Sequence, residues 1–212
     1  MKTDDLIAAL AADDTPPRMP LRRTLASALA LSVVLAALVW AMMLGPRPDF
    51  MTAMHTVRFV FKFVVALALA ASAAAVLFPM ALPLGRRSAL RPLLWLAPGL
   101  LLAAVIAELA TLPASVWMKV WMGHNAVVCM LSIPTIAAIP LAVMLFALRE
   151  GAPARPARTG AIAGLVAGGI GAFFYAAHCF DDSPLFVATW YTIAIAFVSG
   201  AGALVGSRVL RW

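Results

Sequence analysis

The chain has 212 residues, of which 64% are hydrophobic and 12% are charged. A soluble domain is about half apolar and about a quarter charged, so this composition excludes an ordinary soluble globule and indicates lipid as the solvent. The net charge of +7 does not indicate a nucleic-acid surface, because the lysines and arginines lie in short groups between apolar stretches and form no single patch.

Residues 1–24 form a hydrophilic tail, and its first 14 residues are predicted to form a short amphipathic helix. Leu6, Ile7 and Leu10 fall on one helical face. Asp4 and Asp5 place negative charge in the first turn, where it complements the helix dipole. So short a helix is marginal in water alone, and we expect it to form against a basic partner with an apolar groove. An unremarkable tail is one alternative, and a membrane-surface helix is another, although such helices usually carry Lys and Arg.

Six apolar stretches follow the tail and predict an all-α polytopic membrane protein, with a tail at 1–24 and a transmembrane domain at 25–212. The stretches cover about 25–44, 58–80, 91–110, 125–148, 160–180 and 185–207. Each has the length of about 20 residues that a hydrocarbon core of about 30 Å requires. The third is expected to be the weakest span, because Pro98 and Gly99 interrupt it.

The fifth span is rich in glycine, and its spacing predicts close helix packing. Gly160, Gly164 and Gly168 form a repeated small-xxx-small pattern, which lets two helix backbones approach. We favour packing within one bundle, and a homodimer seam is the alternative.

Charge distribution predicts the orientation in a bacterial inner membrane. With the N terminus inside, twelve of the 16 lysines and arginines lie on the cytoplasmic side, and only Arg47, Arg58, Lys62 and Lys119 lie outside. This bias follows the positive-inside rule and places both termini in the cytoplasm. Arg58, Lys62 and Glu108 should lie near the outer boundary, where snorkelling to the interface explains them. A pair between Glu108 and one of the two cations is also open.

The two cysteines are predicted to share one side of the membrane. Cys129 lies near the start of the fourth span, and Cys179 lies near the end of the fifth. Consecutive spans are antiparallel, so both thiols lie at similar depth. With the N terminus inside, that side is the periplasmic one, where disulfides persist.

Polar residues surround both cysteines, and four of them are candidate metal ligands or neighbours of a metal: His124, His178, Asp181 and Asp182. Thiolate, imidazole and carboxylate groups together could hold a transient metal ion. A disulfide and an oxidisable thiol are the other reactive interpretations. The unreactive interpretation is that the cysteines are small core residues and the histidines are ordinary helix-end residues.

Two segments of the chain resemble a known family. The start, residues 1–7 (MKTDDLI), and residues 178–191 (HCFDDSPLFVATWY) resemble the NrsF family, which are six-span inner-membrane anti-sigma factors of proteobacteria. The resemblance implies a regulator of an extracytoplasmic-function sigma factor and no enzymatic activity. It also implies that the tail, around Asp4, Asp5, Leu6, Ile7 and Leu10, holds the sigma factor away from RNA polymerase. Cys129 and Cys179 would then sense oxidative or heavy-metal stress.

Two other classes of function compete with this interpretation. A membrane thiol or haem redox protein is one, but a quinone-linked disulfide generator would normally carry a CxxC pair, and the sequence has none. A small transporter is the other, and it would be expected to carry charges at the membrane midplane.

Overall fold

The computed structural model describes residues 3–12, 20–82 and 90–211, and the regular structure in these ranges is helical. Six helical segments are long and apolar enough to cross a membrane. Four of them are the single helices α2 (Leu21–Met43), α4 (Val57–Met80), α7 (Ala126–Leu148) and α8 (Pro156–Ala176). The prediction of an all-α polytopic protein with six spans is therefore confirmed.

The remaining elements complete the chain in order. The tail helix is α1 (Thr3–Ala11), and short helices α3 (Phe50–Ala53) and α6 (Ala114–Met122) lie in connections between spans. The third span joins a 3₁₀ turn (Arg91–Trp95) to α5 (Leu96–Thr111). The sixth span joins α9 (Pro184–Phe186), a π turn (Val187–Tyr191) and α10 (Thr192–Val209).

The fifth span lies about four residues earlier in the chain than predicted. It begins at Pro156, where a proline at the first helical position needs no hydrogen-bonded N–H. It ends at Ala176, four residues before the predicted end at about residue 180. Cys179 consequently lies in the loop of residues 177–183, which we call the cysteine loop.

Pro98 and Gly99 were predicted to interrupt the third span, but in the structure they lie at the start of α5. Pro98 lies in the first turn of α5, just after the 3₁₀ turn, where its missing N–H breaks no helical hydrogen bond. The span is nevertheless the least buried of the six, with only Ala97 and Glu108 buried along it. It lies at the edge of the bundle, so most of its side chains are available to lipid.

Helix α8 forms the centre of the bundle, because its glycines allow α10, α4 and α7 to approach its backbone closely. A Cβ added to Gly160 would overlap the carbonyl oxygen of Gly202 on α10, and one added to Gly164 would overlap the backbone of Ser199. A Cβ on Gly169 would similarly press on Ala70 of α4. The predicted intramolecular packing of the glycine face is confirmed, since α10 covers that face within the same chain.

The antiparallel spans divide the bundle into two ends. The cysteine end contains the connections 44–56 and 112–125 and the cysteine loop, and it carries Arg47, Arg58, Lys62 and Lys119. The described arginines of the opposite end include Arg22, Arg149, Arg158 and Arg208. Charges are thus grouped by end as predicted, and the side of the membrane that each end faces stays a prediction.

Candidate functional site

Both cysteines lie buried at the same end of the core. Cys129 lies in the first turn of α7, and its backbone N–H donates to the carbonyl of Asn125 at 2.8 Å. Cys179 follows the end of α8, and its N–H donates to the carbonyl of Tyr175 at 3.1 Å. Both are free thiols with 0% exposure, and they belong to one cluster of packed residues. The prediction that the two cysteines share one side of the bundle is confirmed.

A buried lysine holds the cysteine loop. Lys62 lies in the second turn of α4 and is 1% exposed. Its ammonium donates to the carbonyl of Cys179 at 2.9 Å and to that of Asp181 at 3.5 Å, and it pairs with a carboxylate oxygen of Asp182 at 2.5 Å. Three acceptors therefore satisfy its three N–H groups. The expectation that Lys62 snorkels to the interface is wrong, because acceptors from the loop neutralise and solvate it inside the protein.

Arg47, which lies in the connection after α2, binds the same loop. Its guanidinium donates to both carboxylate oxygens of Asp49 at 2.6 Å, to Asp182 at 3.1 Å and to the Cys179 carbonyl at 3.3 Å. It also lies over the ring of Phe180, 4.7 Å from the centroid. The hydrogen bonds from Arg47 lower the pKa of Asp49, and the Asp49 partner raises the pKa of Arg47. We call Lys62 and Arg47 together the cation clamp.

Asp181 joins the cysteine loop to the start of α7. Its carboxylate accepts the backbone N–H groups of His124 and Asn125 at 3.0 and 2.8 Å, and the side-chain amide of Asn125 at 3.1 Å. Gly123 makes this approach possible, because its φ is +56° and an added Cβ would meet Phe186 and Asp181 at 2.5 to 2.7 Å. Cys129 and Cys179 are thus linked through one carboxylate that bridges their two segments.

Glu108 holds the end of the same loop from α5. It is 4% exposed, and it accepts the Ser183 hydroxyl at 2.7 Å and the Leu185 N–H at 3.0 Å. Its other oxygen lies 3.4 Å from the guanidinium of Arg58. The structure therefore selects the pairing with Arg58. For Glu108 the snorkelling interpretation is wrong, since the carboxylate is turned into the protein.

The thiols are poorly reactive in this conformation. Burial raises the pKa of the Cys179 thiol above its ordinary value of 9.0, although the nearby Lys62 acts in the opposite direction. The thiolate is the reactive form of cysteine, so both the burial and the raised pKa slow attack by a water-soluble reagent. In this conformation the Cys179 side chain has no surface accessible to a reagent in water.

The four residues predicted to surround a metal have other partners. Asp181 and Asp182 are engaged as described above, and the Nδ1 atom of His178 lies 3.1 Å from the carbonyl oxygen of Gly45. His124 is mostly exposed, with 85% of its side chain accessible. Within the described parts of the chain, no group of three or more His, Cys, Asp or Glu residues is arranged to hold a metal ion. Metal binding at the cysteines stays a prediction.

The tail residues lie apart from this site. Asp4, Asp5 and Ile7 are exposed on α1, and Ile7 is 59% exposed. The side chains of Leu6 and Leu10 lie outside what the structure describes. Between α1 and the other described elements there is no extensive packing.

Sequence reasoning missed the cation clamp and the Glu108 anchor as parts of the site. Arg47, Lys62 and Glu108 carry the site's charge together with Asp181 and Asp182. A signal was present: charged residues at the ends of apolar spans are rare and usually turn toward partners inside the bundle.

Comparisons with known proteins agree on one family. A family model described as "Negative regulator of sigma F", NrsF, matches residues 10–212. The chain is 31% identical to "Anti-sigma-F factor NrsF" of Caulobacter vibrioides over 223 residues, which covers the whole of both chains. It is 34% identical to "Probable anti-sigma-F factor NrsF" of Azospira oryzae over 92 residues, which covers 43% of this chain and 41% of that relative. No solved structure matches the chain significantly.

Proposed function

Since the chain belongs to the NrsF family of negative regulators of sigma F, we propose that it is a membrane-bound anti-sigma factor that responds to thiol chemistry. Its N-terminal tail binds an extracytoplasmic-function sigma factor, and oxidants or heavy metals acting on Cys129 and Cys179 release that factor. The family description gives a negative regulator of a sigma factor. The class of sigma factor, the tail as its binding site and the thiols as the trigger belong to the proposal.

The exposed tail helix supports the binding step. Ile7 is 59% exposed on α1, and the helical periodicity of the sequence predicts that Leu6 and Leu10 share its face. Burying one such aliphatic side chain against a partner contributes about 1.5–3 kcal/mol. Asp4 and Asp5 add an acidic edge that suits a basic groove. The full-length alignment with the Caulobacter relative includes this tail, although the family model begins at residue 10.

A substitution on the apolar face of α1 tests the tail directly. Ile7→Asp in the full chain should weaken binding of the purified sigma factor by roughly 10- to 150-fold, because that burial is lost. Ala8→Asp is the matched control, since Ala8 is also exposed but lies on the opposite face of the helix. Equal binding by the parent and Ile7→Asp would contradict the tail as the binding site.

The orientation supports communication across the membrane. The positive-inside rule places the arginine-rich end and the tail in the cytoplasm, where the sigma factor is found. The cysteine end then faces the periplasm, so the trigger and the binding site lie on opposite sides. A signal from the cysteines to the tail must therefore pass through the membrane spans.

The cation clamp explains how a buried thiol can control a distant tail. With the clamp closed, the cysteine loop fixes the end of α8 against the start of the sixth span. Modification of a thiol stabilises an open loop, because a modified sulfur does not fit the closed core. A change in the α8–α10 contact would then alter the cytoplasmic end, and a coupling of about 1–3 kcal/mol would lower sigma affinity about 5- to 150-fold.

Replacing both thiols separates this trigger from the binding function. A Cys129→Ser, Cys179→Ser double variant should still repress sigma-dependent transcription, because the tail is intact. It should no longer respond to oxidants or heavy metals in a reporter assay. A full response in the double variant would contradict the thiol trigger and leave the anti-sigma function standing.

A further inference from the structure

A groove of about 460 Å³ lies between three spans at the arginine-rich end of the bundle, opposite the cysteine loop. It is bounded by the last two turns of α4, the start of the third span and the first two turns of α8. Most of its wall is apolar and comes from Val76, Met80, Leu94, Pro98 and Ile162. The volume falls within the range of about 300–1,000 Å³ that is usual for small-molecule sites, and the proposed function makes no use of the groove.

Two arginines also line this groove. Arg91 is the first residue of the third span, and Arg158 lies in the first turn of α8. Both are exposed, and neither side chain forms an ion pair or a hydrogen bond with another residue that the structure describes. None of the described lining residues is acidic. The positive end of the α8 dipole lies beside Arg158, so the groove attracts an anion and repels a cation.

The groove extends from the membrane surface toward the hydrocarbon region. Trp95 lines it and is 76% exposed, and tryptophan is enriched where a bilayer meets water. Ile162 lies one helical turn further into its span than Arg158, and Pro98 lies about two turns further than Arg91. The charged part of the groove is therefore at the level of the lipid headgroups, and its apolar walls are at the level of the acyl chains.

The groove also separates two spans that hardly touch. The third span packs mainly on α4, and in the described structure it makes no extensive contact with α8. Ala97 and Glu108 are the buried residues along this span, and only Ala97 is near the arginine-rich end. A ligand that contacts both Arg91 and Arg158 would therefore join the third span to the centre of the bundle.

We propose that the groove binds an anionic phospholipid, with its phosphate held by Arg91 and Arg158 and an acyl chain lying along the apolar walls. A guanidinium forms paired hydrogen bonds with phosphate oxygens, and basic pockets between membrane helices suit anionic headgroups. A zwitterionic lipid has the same phosphate, but its ammonium group would face two arginines and no described carboxylate. An acidic peptide comes from water and would have to displace lipid from walls that lie within the spans.

The test titrates the full chain, purified in a neutral detergent, with dioleoyl phosphatidylglycerol and with dioleoyl phosphatidylcholine. Native mass spectrometry counts the bound lipid, and thermal unfolding measures its effect on stability. Phosphatidylglycerol should bind saturably and raise the unfolding midpoint, because a ligand that binds only the folded state stabilises that state. Phosphatidylcholine should bind more weakly and raise the midpoint less.

Two pairs of arginine substitutions separate the groove from the general positive charge of this end. Arg91→Gln combined with Arg158→Gln should weaken phosphatidylglycerol binding about 25-fold, because each arginine near a membrane surface contributes about 5-fold to the affinity for anionic lipid. Arg149→Gln combined with Arg208→Gln is the matched control. Both of these arginines are exposed at the same end and do not line the groove, so binding should change little.

A pair of steric substitutions tests the walls. Ala161→Leu fills part of the groove and should weaken binding, whereas Ala142→Leu on an exposed position of α7 should not. Equal affinity for the two lipids, or equal effects within either pair of variants, would overturn the proposal. Binding of a synthetic peptide of residues 1–14 in place of phosphatidylglycerol would also overturn it and would assign the groove to the acidic tail. The proposal does not depend on the anti-sigma function, which the tail variants test separately.

Discussion

Replacing Lys62 by methionine should open the cysteine loop. Methionine keeps the length and apolar contacts of the buried side chain, but it removes the donor to the Cys179 carbonyl and the partner of Asp182. Breaking a buried ion pair costs about 3–5 kcal/mol. Asp182 retains Arg47 and is 23% exposed, so we expect a loss nearer 2–4 kcal/mol from the closed loop.

This loss should appear as faster modification of Cys179. If a reagent reacts only with the open loop, the rate follows the open population, which should rise roughly 30- to 700-fold. The assay is maleimide labelling of purified protein at fixed pH in a Cys129→Ala background. Lys119→Met is the matched control, because Lys119 is an exposed lysine at the same end.

The same labelling rate can contradict the claim that the cation clamp keeps the cysteine loop closed. If Lys62→Met elutes as folded protein and labels at the rate of the parent and of Lys119→Met, the cation clamp does not keep the loop closed. The thiols would then be protected by core packing alone. If Arg47→Met raises the labelling rate of Cys179 by a smaller amount than Lys62→Met does, both cations contribute to keeping the loop closed.

Two further predictions concern packing and pH. Gly160→Ala should lower stability by about 1–3 kcal/mol because its Cβ overlaps the backbone of Gly202, whereas Gly200→Ala should change little, since nothing lies within 4 Å of it. The two variants are compared by thermal unfolding in detergent. Similar unfolding midpoints for both variants would contradict the close approach of α8 and α10. Burial raises the pKa of Cys179 above 9.0, so its labelling rate should still be rising as pH increases through 9. A plateau below pH 9 would indicate an exposed thiol with an ordinary pKa.

The membrane architecture was predictable because it depends on local properties. Hydropathy alone defines a span when lipid is the solvent, since each span satisfies its own backbone hydrogen bonds. The shared location of Cys129 and Cys179 followed from the antiparallel order of consecutive spans. The packing role of Gly160 and Gly164 followed from their spacing, because small residues four apart create a smooth face on one helix.

The partners of the charged residues were not predictable in the same way. Whether Lys62 turns to the lipid interface or into the protein depends on acceptors in the cysteine loop, about 120 residues later in the chain. Glu108 similarly finds its donors at Ser183 and Leu185. Such contacts arise only when α4, α5 and the loop after α8 are assembled.

Copurification from the native membrane tests the central claim most directly. The full chain and a version lacking residues 2–14 would be isolated in mild detergent, and the associated proteins identified by mass spectrometry. A sigma factor that accompanies the full chain and is absent from the truncated one would be the expected result. A sigma factor retained equally by both, or absent from both at good yield of intact protein, would contradict an anti-sigma factor that acts through its tail.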